Sequence, residues 1–431
     1  MTDVALLTDH YELTMVQAAL QSGAAQRRCV FEVFARSLPG RRRYGVVAGL
    51  GRLVDDLPRF RYDADALEFL AATGVIDRAT CEWLSTYRFT GSIDGYAEGE
   101  AYFPGSPVIV VEGSFAECVV LETLILSVLN HDSAIATAAA RMICAAGDRP
   151  CIEMGSRRTH EWAAVASARA AYIAGFAASS NLAAGKKWGV PTTGTAAHAF
   201  TLVHDDEEVA FASQVEALGR DTTLLVDTYD VEQGIRRAVA AAGPELGAIR
   251  LDSGDLLPLA HRARQLLDEL GATKTRIVVT SDLDENSIAR LGSAPVDGYG
   301  VGTSLVTGSG VATAGFVYKL VARQSGNGWE PVQKKSTGKG SKGGRKWATR
   351  RHGADGQATE EHVYVGAAPA ARADERPLLV PVIRDGESVH TTSLAEARQH
   401  CRRAIGGLPA DAMKLSPGDP ALDTRYERLA P

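Results

Sequence analysis

The chain has 431 residues, 45% of them hydrophobic and 23% charged, and its formal net charge is −6. This is the composition of an ordinary globular protein, and it excludes a nucleic-acid partner recognised through the charge of the whole chain. The length suits two domains or one large barrel with additional segments. The six cysteines are scattered without metal-ligand spacing, which predicts reduced thiols in a cytoplasmic protein.

The sequence predicts no membrane association. The start MTDVALLTDHYEL lacks the basic and apolar regions of a secretory signal. The most apolar helical run, VVLETLILSVL, is shorter than the roughly 20 residues that span a bilayer. Glu122 within this run also favours a core helix.

The first third of the chain predicts a mixture of strands and helices. In DHYE, Asp9 and Glu12 have the spacing of a capping box that begins a helix. CVFEVFARSLP and VIVVEGSF are predicted strands, DADALEFLAATG is a predicted helix, and GSIDGYAEGEAYFPGSPV suggests a hairpin or a small sandwich layer. The apolar segment that follows predicts one or two long helices ending at Gly147.

From Cys151 onwards, short apolar runs alternate with helical patterns. The runs are CIEMGSRR, VPTTGTAAH, TTLLVDTYD, GAIRLDSGD, RIVVTSDLD and GYGVGTSLVT. About six βα units predict a parallel sheet, either open and doubly wound or closed as a barrel. Because no GxGxxG follows the first strand and polar groups end every strand, the pattern favours a barrel with its active site at the carboxyl ends of many strands.

After Lys319 the alternation stops. The segment at about 334–351 is rich in Lys, Arg, Gly and Ser and predicts a flexible basic loop, either a solvated connection or a lid that contacts phosphate. The strand PLLVPVIRDG and the amphipathic helix SLAEARQHCRRAI follow. The predicted division is an N-terminal α/β domain at 1–120, an α/β-barrel catalytic domain at 121–315 and a C-terminal segment at 316–431 that completes the N-terminal domain.

His198 follows a Gly-Thr turn in GTAAHAF, with two small alanines before it. One interpretation is a loop histidine held by hydrogen bonds. A neutral imidazole can also act as a base, or as a nucleophile that accepts a phosphoryl group. This stretch alone leaves the alternatives open.

In IRLDSGDLL, Arg250 and Asp252 alternate along a strand and therefore face the same side of the sheet. They could form a buried ion pair. They could equally supply a cation for a carboxylate or phosphate, beside an acid for sugar hydroxyls or a metal-bound water. Asp227 and Asp230 in VDTYD are further acids that suit helix caps as well as catalysis.

Other predicted strand ends carry groups suited to anions. In GYGVGTSLVT, Gly302 and Thr303 stand at a helix start, where backbone amides can approach a phosphate closely. Ser281 ends another strand in VTSDLDE. In EMGSRRTHE, Arg157 and Arg158 are predicted at the opening of a long helix, either as a solvated pair or as an anion clamp.

Together these motifs resemble those of nicotinate phosphoribosyltransferases, from LLTDHYELTM through FEVFARSLP, EMGSRR, SSNLAAGKKWGVPTTGTAAHAF, IRLDSGDLL and VGTSLVTG. The resemblance implies a type II phosphoribosyltransferase fold, an irregular parallel α/β barrel packed against a mixed α/β domain formed from both chain ends. It also implies a cytoplasmic homodimer that makes nicotinate mononucleotide and pyrophosphate from nicotinate and phosphoribosyl pyrophosphate. ATP would be a co-substrate, its hydrolysis coupled through a phosphohistidine, and Mg²⁺ would be carried mainly by the pyrophosphate.

The resemblance assigns nicotinate-binding roles to four residues. Tyr11 would cover the pyridine ring from the neighbouring subunit of a dimer, while Thr195 and Arg250 would contact nicotinate. Asn181 stands where related nicotinamide enzymes carry an Asp, whose charge would repel a carboxylate, so Asn181 favours nicotinate. Met154 stands where those enzymes place a stacking Phe.

The resemblance also assigns a site for phosphoribosyl pyrophosphate. His198 would carry the phosphoryl group, Arg157 would grip the pyrophosphate, and Asp252 would meet the ribose. The cradle for the 5′-phosphate would comprise Ser281, Gly302 and Thr303.

Two rival classes of function fit parts of this pattern. One is a quinolinate or nicotinamide phosphoribosyltransferase on the same fold. Quinolinate carries a second carboxylate and loses CO₂, so that enzyme would need more cations and no phosphorylatable histidine. The other is a non-catalytic sensor of phosphoribosyl pyrophosphate or pyridine nucleotides, and the complete set of strand-end groups argues against it.

Overall fold

The computed structural model describes residues 4–326, 328–334 and 341–429. Its helices are α1 (His10–Ser22), α2 (Leu50–Asp56), α3 (Ala64–Ala72), α4 (Arg78–Ser85), α5 (Phe115–Val119), α6 (Glu122–Ala146), α7 (Glu161–Ile173), α8 (Leu182–Trp188), α9 (His198–Leu202), α10 (Glu207–Leu218), α11 (Val231–Ala242), α12 (Leu256–Glu269), α13 (Glu285–Arg290), α14 (Thr303–Val306) and α15 (Leu394–Gly406).

Its strands are β1 (Arg28–Ala35), β2 (Gly45–Val46), β3 (Ser92–Tyr96), β4 (Ala101–Tyr102), β5 (Ile109–Ser114), β6 (Cys151–Glu153), β7 (Ala178–Ser179), β8 (Thr223–Leu225), β9 (Ala248–Leu251), β10 (Arg276–Ser281), β11 (Gly298–Val301), β12 (Phe316–Ser325), β13 (Gly328–Pro331), β14 (Lys346–His352), β15 (Ala358–Val365), β16 (Glu375–Pro377), β17 (Leu379–Arg384), β18 (Glu387–Ser388) and β19 (Thr424–Arg428).

The chain forms two compact units. The first comprises Met1–Thr137 and Val311–Pro431, and the second comprises Ala138–Gly310. The first unit therefore contains both chain ends. The domain boundaries predicted at 120/121 and 315/316 stay a prediction.

Two larger, mostly antiparallel sheets form the first unit. Seven strands pair in the order β13-β12-β1-β5-β3-β17-β18, and four pair in the order β16-β14-β15-β19. Strand β1 lies between β5 and β12 and buries every residue after Arg28. Phe31 and Val33 of β1 pack with Val111 of β5 in an apolar core.

The predicted capping box at the start of α1 is wrong. The helix begins after Asp9 as expected, but the Asp9 side chain makes no capping hydrogen bond. Glu12 is buried and instead accepts hydrogen bonds from the backbone N–H and the hydroxyl of Thr123, at 2.9 and 2.5 Å. The other Glu12 oxygen accepts from the Thr8 hydroxyl, so Glu12 joins the segment before α1 to α6 and does not form the box with Asp9.

Two further predictions for the first unit need correction. Strands β3 and β4 do not form a hairpin with each other, because β3 pairs with β5 and β17 while β4 pairs with β2. Of the predicted basic loop at about 334–351, residues 335–340 lie outside the described residues, and the last part is strand β14. Lys346 of β14 is buried and forms an ion pair with Glu32 at 2.6 Å, which gives this basic residue a structural partner.

The mostly helical stretch Phe115–Ala146 comprises α5, a two-residue turn and α6. By length and composition it could cross a membrane, and 67% of its apolar window is buried inside the protein. Core helices of globular proteins have the same properties, and the stretch is longer than the apolar run selected from the sequence. The prediction that it ends at Gly147 is confirmed, since Gly147 adopts a positive φ of 64° directly after α6.

The second unit is built on a parallel sheet whose strands alternate with helices. Its six strands pair in the order β7-β6-β11-β10-β9-β8, and every pairing is parallel. All the carboxyl ends therefore lie at one edge of the sheet. Strands β7 and β8 do not pair with each other in the described residues, so this barrel is open on one side.

One predicted strand of the second unit is wrong. VPTTGTAAH makes only an isolated bridge between Thr192 and Ser179, and its place in the sheet is taken by β7. Pro191 lacks the N–H that a ladder needs, which helps to explain why no strand forms there. His198 is consequently the first residue of the short helix α9.

Helix α8 follows its sequence prediction closely. Asn181 caps its first turn by accepting a hydrogen bond from the backbone N–H of Ala184. Gly189 ends the helix in the left-handed conformation, with φ of 71°. These two ends fix the position of Asn181 next to β7.

Candidate active site

The carboxyl edge of the parallel sheet collects most of the candidate residues. Neighbouring strands place these residues in register: Ser179 with Glu153, Glu153 with Val301, Val301 with Ser281, and Val279 with Leu251. Asp252 follows directly after β9, and Gly302 directly after β11. Groups that are far apart in the sequence therefore share one edge.

His198 is oriented by two neighbours. Its Nδ1 lies 3.1 Å from Thr228 Oγ1, and its Nε2 lies 3.8 Å from Asp252 Oδ2. The His198 side chain is 40% exposed. The imidazole is therefore held in place while one face stays open to a reactant.

Asp252 is held by groups from the strands on both sides of β9. The Thr280 hydroxyl donates to Asp252 Oδ1. On the other side, Asp227 Oδ2 accepts from the Asp252 backbone N–H at 2.9 Å and from the Ser253 hydroxyl at 2.6 Å. These bonds fix the turn that carries the Asp252 carboxylate.

Asp227 has a role that sequence reasoning did not select. Asp230 is the N-cap of α11, with its side chain accepting from Gln233 N–H, whereas Asp227 caps no helix. The Oδ1 atom of Asp227 is buried and has no hydrogen-bond partner among the described residues. The Asp252 turn therefore uses only one of the two Asp227 carboxylate oxygens.

Arg250 points its guanidinium at the candidate nicotinate contact. It donates to the hydroxyl of Thr195, and its Nε is buried with no partner among the described residues. Burial lowers the pKa of Arg250, the charges of Asp252 and Asp227 oppose that shift, and the nearby Arg157 adds to it. The expected alternative of an Arg250–Asp252 ion pair is not formed within the described part of the chain, so Arg250 keeps donors for an anion.

A buried hydrogen-bond network lies under the ends of β6 and β7. Glu153 is fully buried and accepts from the backbone N–H of Gly155 and from the hydroxyl of Ser179. Burial raises the pKa of Glu153, although both hydrogen bonds oppose that shift. Ser179 Oγ accepts from the backbone N–H of Asn181 at 2.8 Å, and Asn181 Nδ2 donates to Ser156 Oγ at 3.0 Å.

Arg157 lies in the loop between β6 and α7. The prediction that it opens a long helix is wrong, because α7 begins at Glu161 with His160 as its N-cap. Arg157 is exposed in a turn closed by the Arg158 N–H and the Gly155 carbonyl oxygen at 2.8 Å. Its positive charge contributes to the lowered pKa of Arg250.

The predicted phosphate cradle lies at the ends of β10 and β11. Gly302 precedes α14, and Thr303 begins that helix. A Cβ on Gly155 would lie 2.2 Å from Val306 Cγ1 and 3.1 Å from the Gly302 carbonyl oxygen, so glycine lets the Arg157 loop approach α14. Ser281, the last residue of β10, is exposed at the same edge.

Tyr11 lies in the first unit, unlike the other candidate residues. It is exposed on α1, and burial together with the charges of Glu122, Glu12 and Asp9 raises its pKa. Met154 follows β6, and its N–H donates to the Val301 carbonyl oxygen at 2.8 Å.

The described residues contain no group of three or more His, Cys, Asp or Glu side chains that could hold a metal ion. The Asp252 carboxylate at the sheet edge is partly exposed and could serve as a single ligand. A site with so few protein ligands suits an ion such as Mg²⁺, which keeps water and substrate oxygens as most of its ligands.

Comparisons with known proteins identify relatives of this chain. Residues 6–130 match the family model for the N-terminal domain of nicotinate phosphoribosyltransferase (NAPRTase). The chain is 62% identical to nicotinate phosphoribosyltransferase pncB1 of Mycobacterium tuberculosis (strain CDC 1551 / Oshkosh), with 97% of this chain and 94% of that protein covered. It is 39% identical to nicotinate phosphoribosyltransferase of Bacillus subtilis (strain 168), over 74% of this chain and 67% of that protein.

Solved structures agree with the sequence matches. The crystal structure of human nicotinic acid phosphoribosyltransferase superimposes with a TM-score of 0.84 at 27% identity, covering 97% of both chains. The fold is thus that of a type II phosphoribosyltransferase, as expected from the sequence. The chain belongs to the nicotinate phosphoribosyltransferase family.

Proposed function

We propose that the protein forms nicotinate mononucleotide and pyrophosphate from nicotinate and phosphoribosyl pyrophosphate, with ATP hydrolysis coupled through a phosphohistidine, in the biosynthesis and salvage of NAD. One observation carries this proposal. Arg250 and Thr195, which can bind a carboxylate, share the edge of one sheet with Asp252 and His198. Carboxylate, sugar and phosphoryl chemistry would then meet in a single place.

The carboxylate of nicotinate would accept hydrogen bonds from donors of the protein. Arg250 keeps a buried Nε donor and positions the Thr195 hydroxyl, and a carboxylate beside a guanidinium forms strong charge-assisted hydrogen bonds. Asn181 would add an uncharged amide, and Tyr11 from a partner subunit would cover the ring. The pyridine nitrogen would thereby be aimed at C1 of the ribose.

Asp252 would hold the ribose hydroxyls, since its carboxylate is fixed by Thr280 and by the turn bound to Asp227. Displacement of pyrophosphate passes through an oxocarbenium-like state, in which catalysis depends on positioning and on charge stabilisation. Arg157 would stabilise the departing pyrophosphate. The 5′-phosphate would lie in the cradle of Ser281, Gly302 and Thr303.

His198 would accept the γ-phosphoryl group of ATP. One ring nitrogen forms the bond to phosphorus while the bond from phosphorus to the ADP oxygen breaks and ADP leaves. A phosphoryl group adds roughly −1.5 to −2 charge. Placed near Asp252 and Arg157, that charge would change the affinity of the site for substrate and product until water removes the group.

Mg²⁺ would enter with the pyrophosphate as part of the substrate. The Asp252 carboxylate at the sheet edge could supply a single oxygen ligand to it. The ion would supply charge stabilisation to the leaving group.

We also propose a cytoplasmic homodimer. Two large apolar side chains near Asn181 are strongly exposed, Trp162 by 71% and Leu182 by 77%. Such neighbouring exposed groups mark protein interfaces. A second copy over this face would be detected by sedimentation equilibrium as twice the chain mass.

A product assay tests the proposed function. The protein is incubated with phosphoribosyl pyrophosphate and Mg²⁺ and with nicotinate, nicotinamide or quinolinate, each with and without ATP. We expect nicotinate mononucleotide from nicotinate, with a higher yield when ATP is present. Turnover of quinolinate or nicotinamide in preference to nicotinate, or binding without any product, would contradict the proposal.

A further inference from the structure

The amide of Asn181 has only one possible orientation. Its Oδ1 accepts from the backbone N–H of Ala184 at 3.0 Å, and its Nδ2 donates to Ser156 Oγ at 3.0 Å. Because a backbone N–H needs an acceptor, the oxygen of the amide must face α8. The NH₂ group must therefore face Ser156.

This orientation determines what Ser156 can do. Its oxygen already accepts from Asn181, and its own hydroxyl hydrogen has no acceptor within residues 4–326, 328–334 and 341–429. A serine hydroxyl carries one hydrogen, which remains available for donation. Ser156 and Asn181 therefore present donors together and no strong acceptor.

Buried residues behind this pair fix its position. The Ser179 hydroxyl donates to the buried Glu153 carboxylate, and its oxygen accepts from the Asn181 backbone N–H. Glu153 also accepts from the N–H of Gly155, the residue before Ser156. One buried carboxylate thus holds both loops, so the Ser156–Asn181 contact is set by the fold.

The pair faces an open cleft of the second unit. This cleft of about 450 Å³ has apolar walls that include Trp162 and Val165, and the exposed side chain of Glu161 also lines it. Ser156 directly precedes Arg157, whose charge contributes to the lowered pKa of Arg250. An aromatic ring with a polar substituent matches this combination of apolar walls and donors.

We propose that Ser156 determines substrate specificity by donating its hydroxyl hydrogen to the carboxylate of the pyridine substrate. This inference rests on the proposed function. A carboxylate offers acceptors to every donor of this face. A carboxamide would turn its own NH₂ group towards one of these donors. Two donors that face each other cannot form a hydrogen bond, so the NH₂ group and the protein donor would both stay unpaired.

The test compares Ser156→Ala with Ser180→Ala, which alters a second serine of the same cleft. Steady-state rates are measured for nicotinate and nicotinamide at saturating phosphoribosyl pyrophosphate, and the fold of each variant is checked by thermal unfolding. For Ser156→Ala we expect kcat/KM for nicotinate to fall about 10- to 100-fold, mainly through KM, because a hydrogen bond to a charged group is lost. The KM for phosphoribosyl pyrophosphate should stay unchanged, any turnover of nicotinamide should not fall, and Ser180→Ala should resemble the wild type.

A double-mutant cycle with Asn181→Asp provides a second measurement. An aspartate carboxylate at this position would accept the Ser156 hydroxyl hydrogen and remove it from the substrate, so Ser156→Ala should have no further effect in that background. An unchanged kcat/KM for nicotinate in Ser156→Ala, or equal losses for nicotinate and nicotinamide, would overturn the inference. If the wild-type protein forms no nicotinate mononucleotide, the proposed function itself has failed, which is a different result.

Discussion

Nδ1 of His198 lies 3.1 Å from Oγ1 of Thr228. Thr228 belongs to the loop after β8, whereas His198 starts α9, so the contact joins two segments of the second unit. The Thr228 hydroxyl can donate to this nitrogen or accept from it, so the contact orients the imidazole in either tautomer. If His198 is phosphorylated as proposed, Thr228 would orient the ring for that step.

Replacing His198 by alanine should abolish phosphorylation of the protein. We expect no ³²P transfer from γ-labelled ATP, and a basal nicotinate mononucleotide synthesis that no longer responds to ATP, because the positioning groups at the strand ends remain. His204, on the loop after α9, provides a matched control. His204→Ala should be labelled like the wild type, and label that persists in His198→Ala would show that another residue is phosphorylated.

Thr228→Val should slow phosphorylation of His198. Valine has nearly the shape of threonine but removes the hydroxyl, so the imidazole loses its orientation, and we expect about a tenfold slower formation of the phosphoenzyme. Rapid-quench measurement of ³²P incorporation gives this rate. Thr228→Ser keeps the hydroxyl and should restore it, while equal rates in all three proteins would leave Thr228 without this role.

Asp227→Asn should impair turnover more than substrate binding. The amide oxygen can take the place of Oδ2 and keep the bonds from the Asp252 N–H and the Ser253 hydroxyl, whereas the buried Oδ1 becomes an NH₂ donor and the negative charge is lost. We expect kcat to fall about 10- to 100-fold with the fold intact. Asp230→Asn is the control, because asparagine caps a helix as well as aspartate does, and its kcat should not change.

The stability of the first unit should depend on the ionisation of Glu100. This buried residue lies 3.0 Å from Arg350, 2.9 Å from Arg376 and 2.8 Å from His400. Burial alone opposes ionisation, but the hydrogen bond from His400 and the two arginine charges outweigh it and lower the pKa of Glu100 to about 2. A folded-state pKa below the ordinary 4.5 means that Glu100 stabilises the fold above pH 4.5 and loses this contribution as the pH falls towards 2.

Glu100→Gln should therefore cost about 3–5 kcal/mol of the free energy of unfolding at neutral pH. The difference from the wild type should shrink between pH 4.5 and pH 2. Urea unfolding across this range measures the effect. Glu387→Gln, at an exposed position on β18, should show no such dependence, and a pH-independent loss in Glu100→Gln would contradict the ionic origin of the stabilisation.

Local chemistry explains which elements the sequence predicts well. Asn181 and Gly189 bound α8 through a cap and a left-handed turn, both of which are encoded in a few neighbouring residues. The capping box at Asp9 and Glu12 has the same local signature, but Glu12 binds Thr123 from a distant helix instead. Tertiary contacts decide such cases, and a sequence pattern does not contain them.

The residues of the candidate site divide in the same way, into those that a local sequence pattern predicts and those that depend on tertiary contacts. Arg250 and Asp252 could be selected from their alternation along one strand. Asp227 resembled an ordinary cap, because its bonds to the Asp252 turn depend on which strands are neighbours. Ser156 carried no signal at all, since its free hydroxyl hydrogen follows from the orientation of the Asn181 amide.

The central claim is that the carboxyl edge of one sheet binds the whole nucleotide. A crystal structure of the protein with nicotinate mononucleotide tests this most directly. We expect the carboxylate within hydrogen-bonding distance of Arg250 and Thr195, the ribose hydroxyls at Asp252, and the phosphate at Gly302 and Thr303. A nucleotide bound elsewhere, or bound with its carboxylate away from Arg250, would contradict the account.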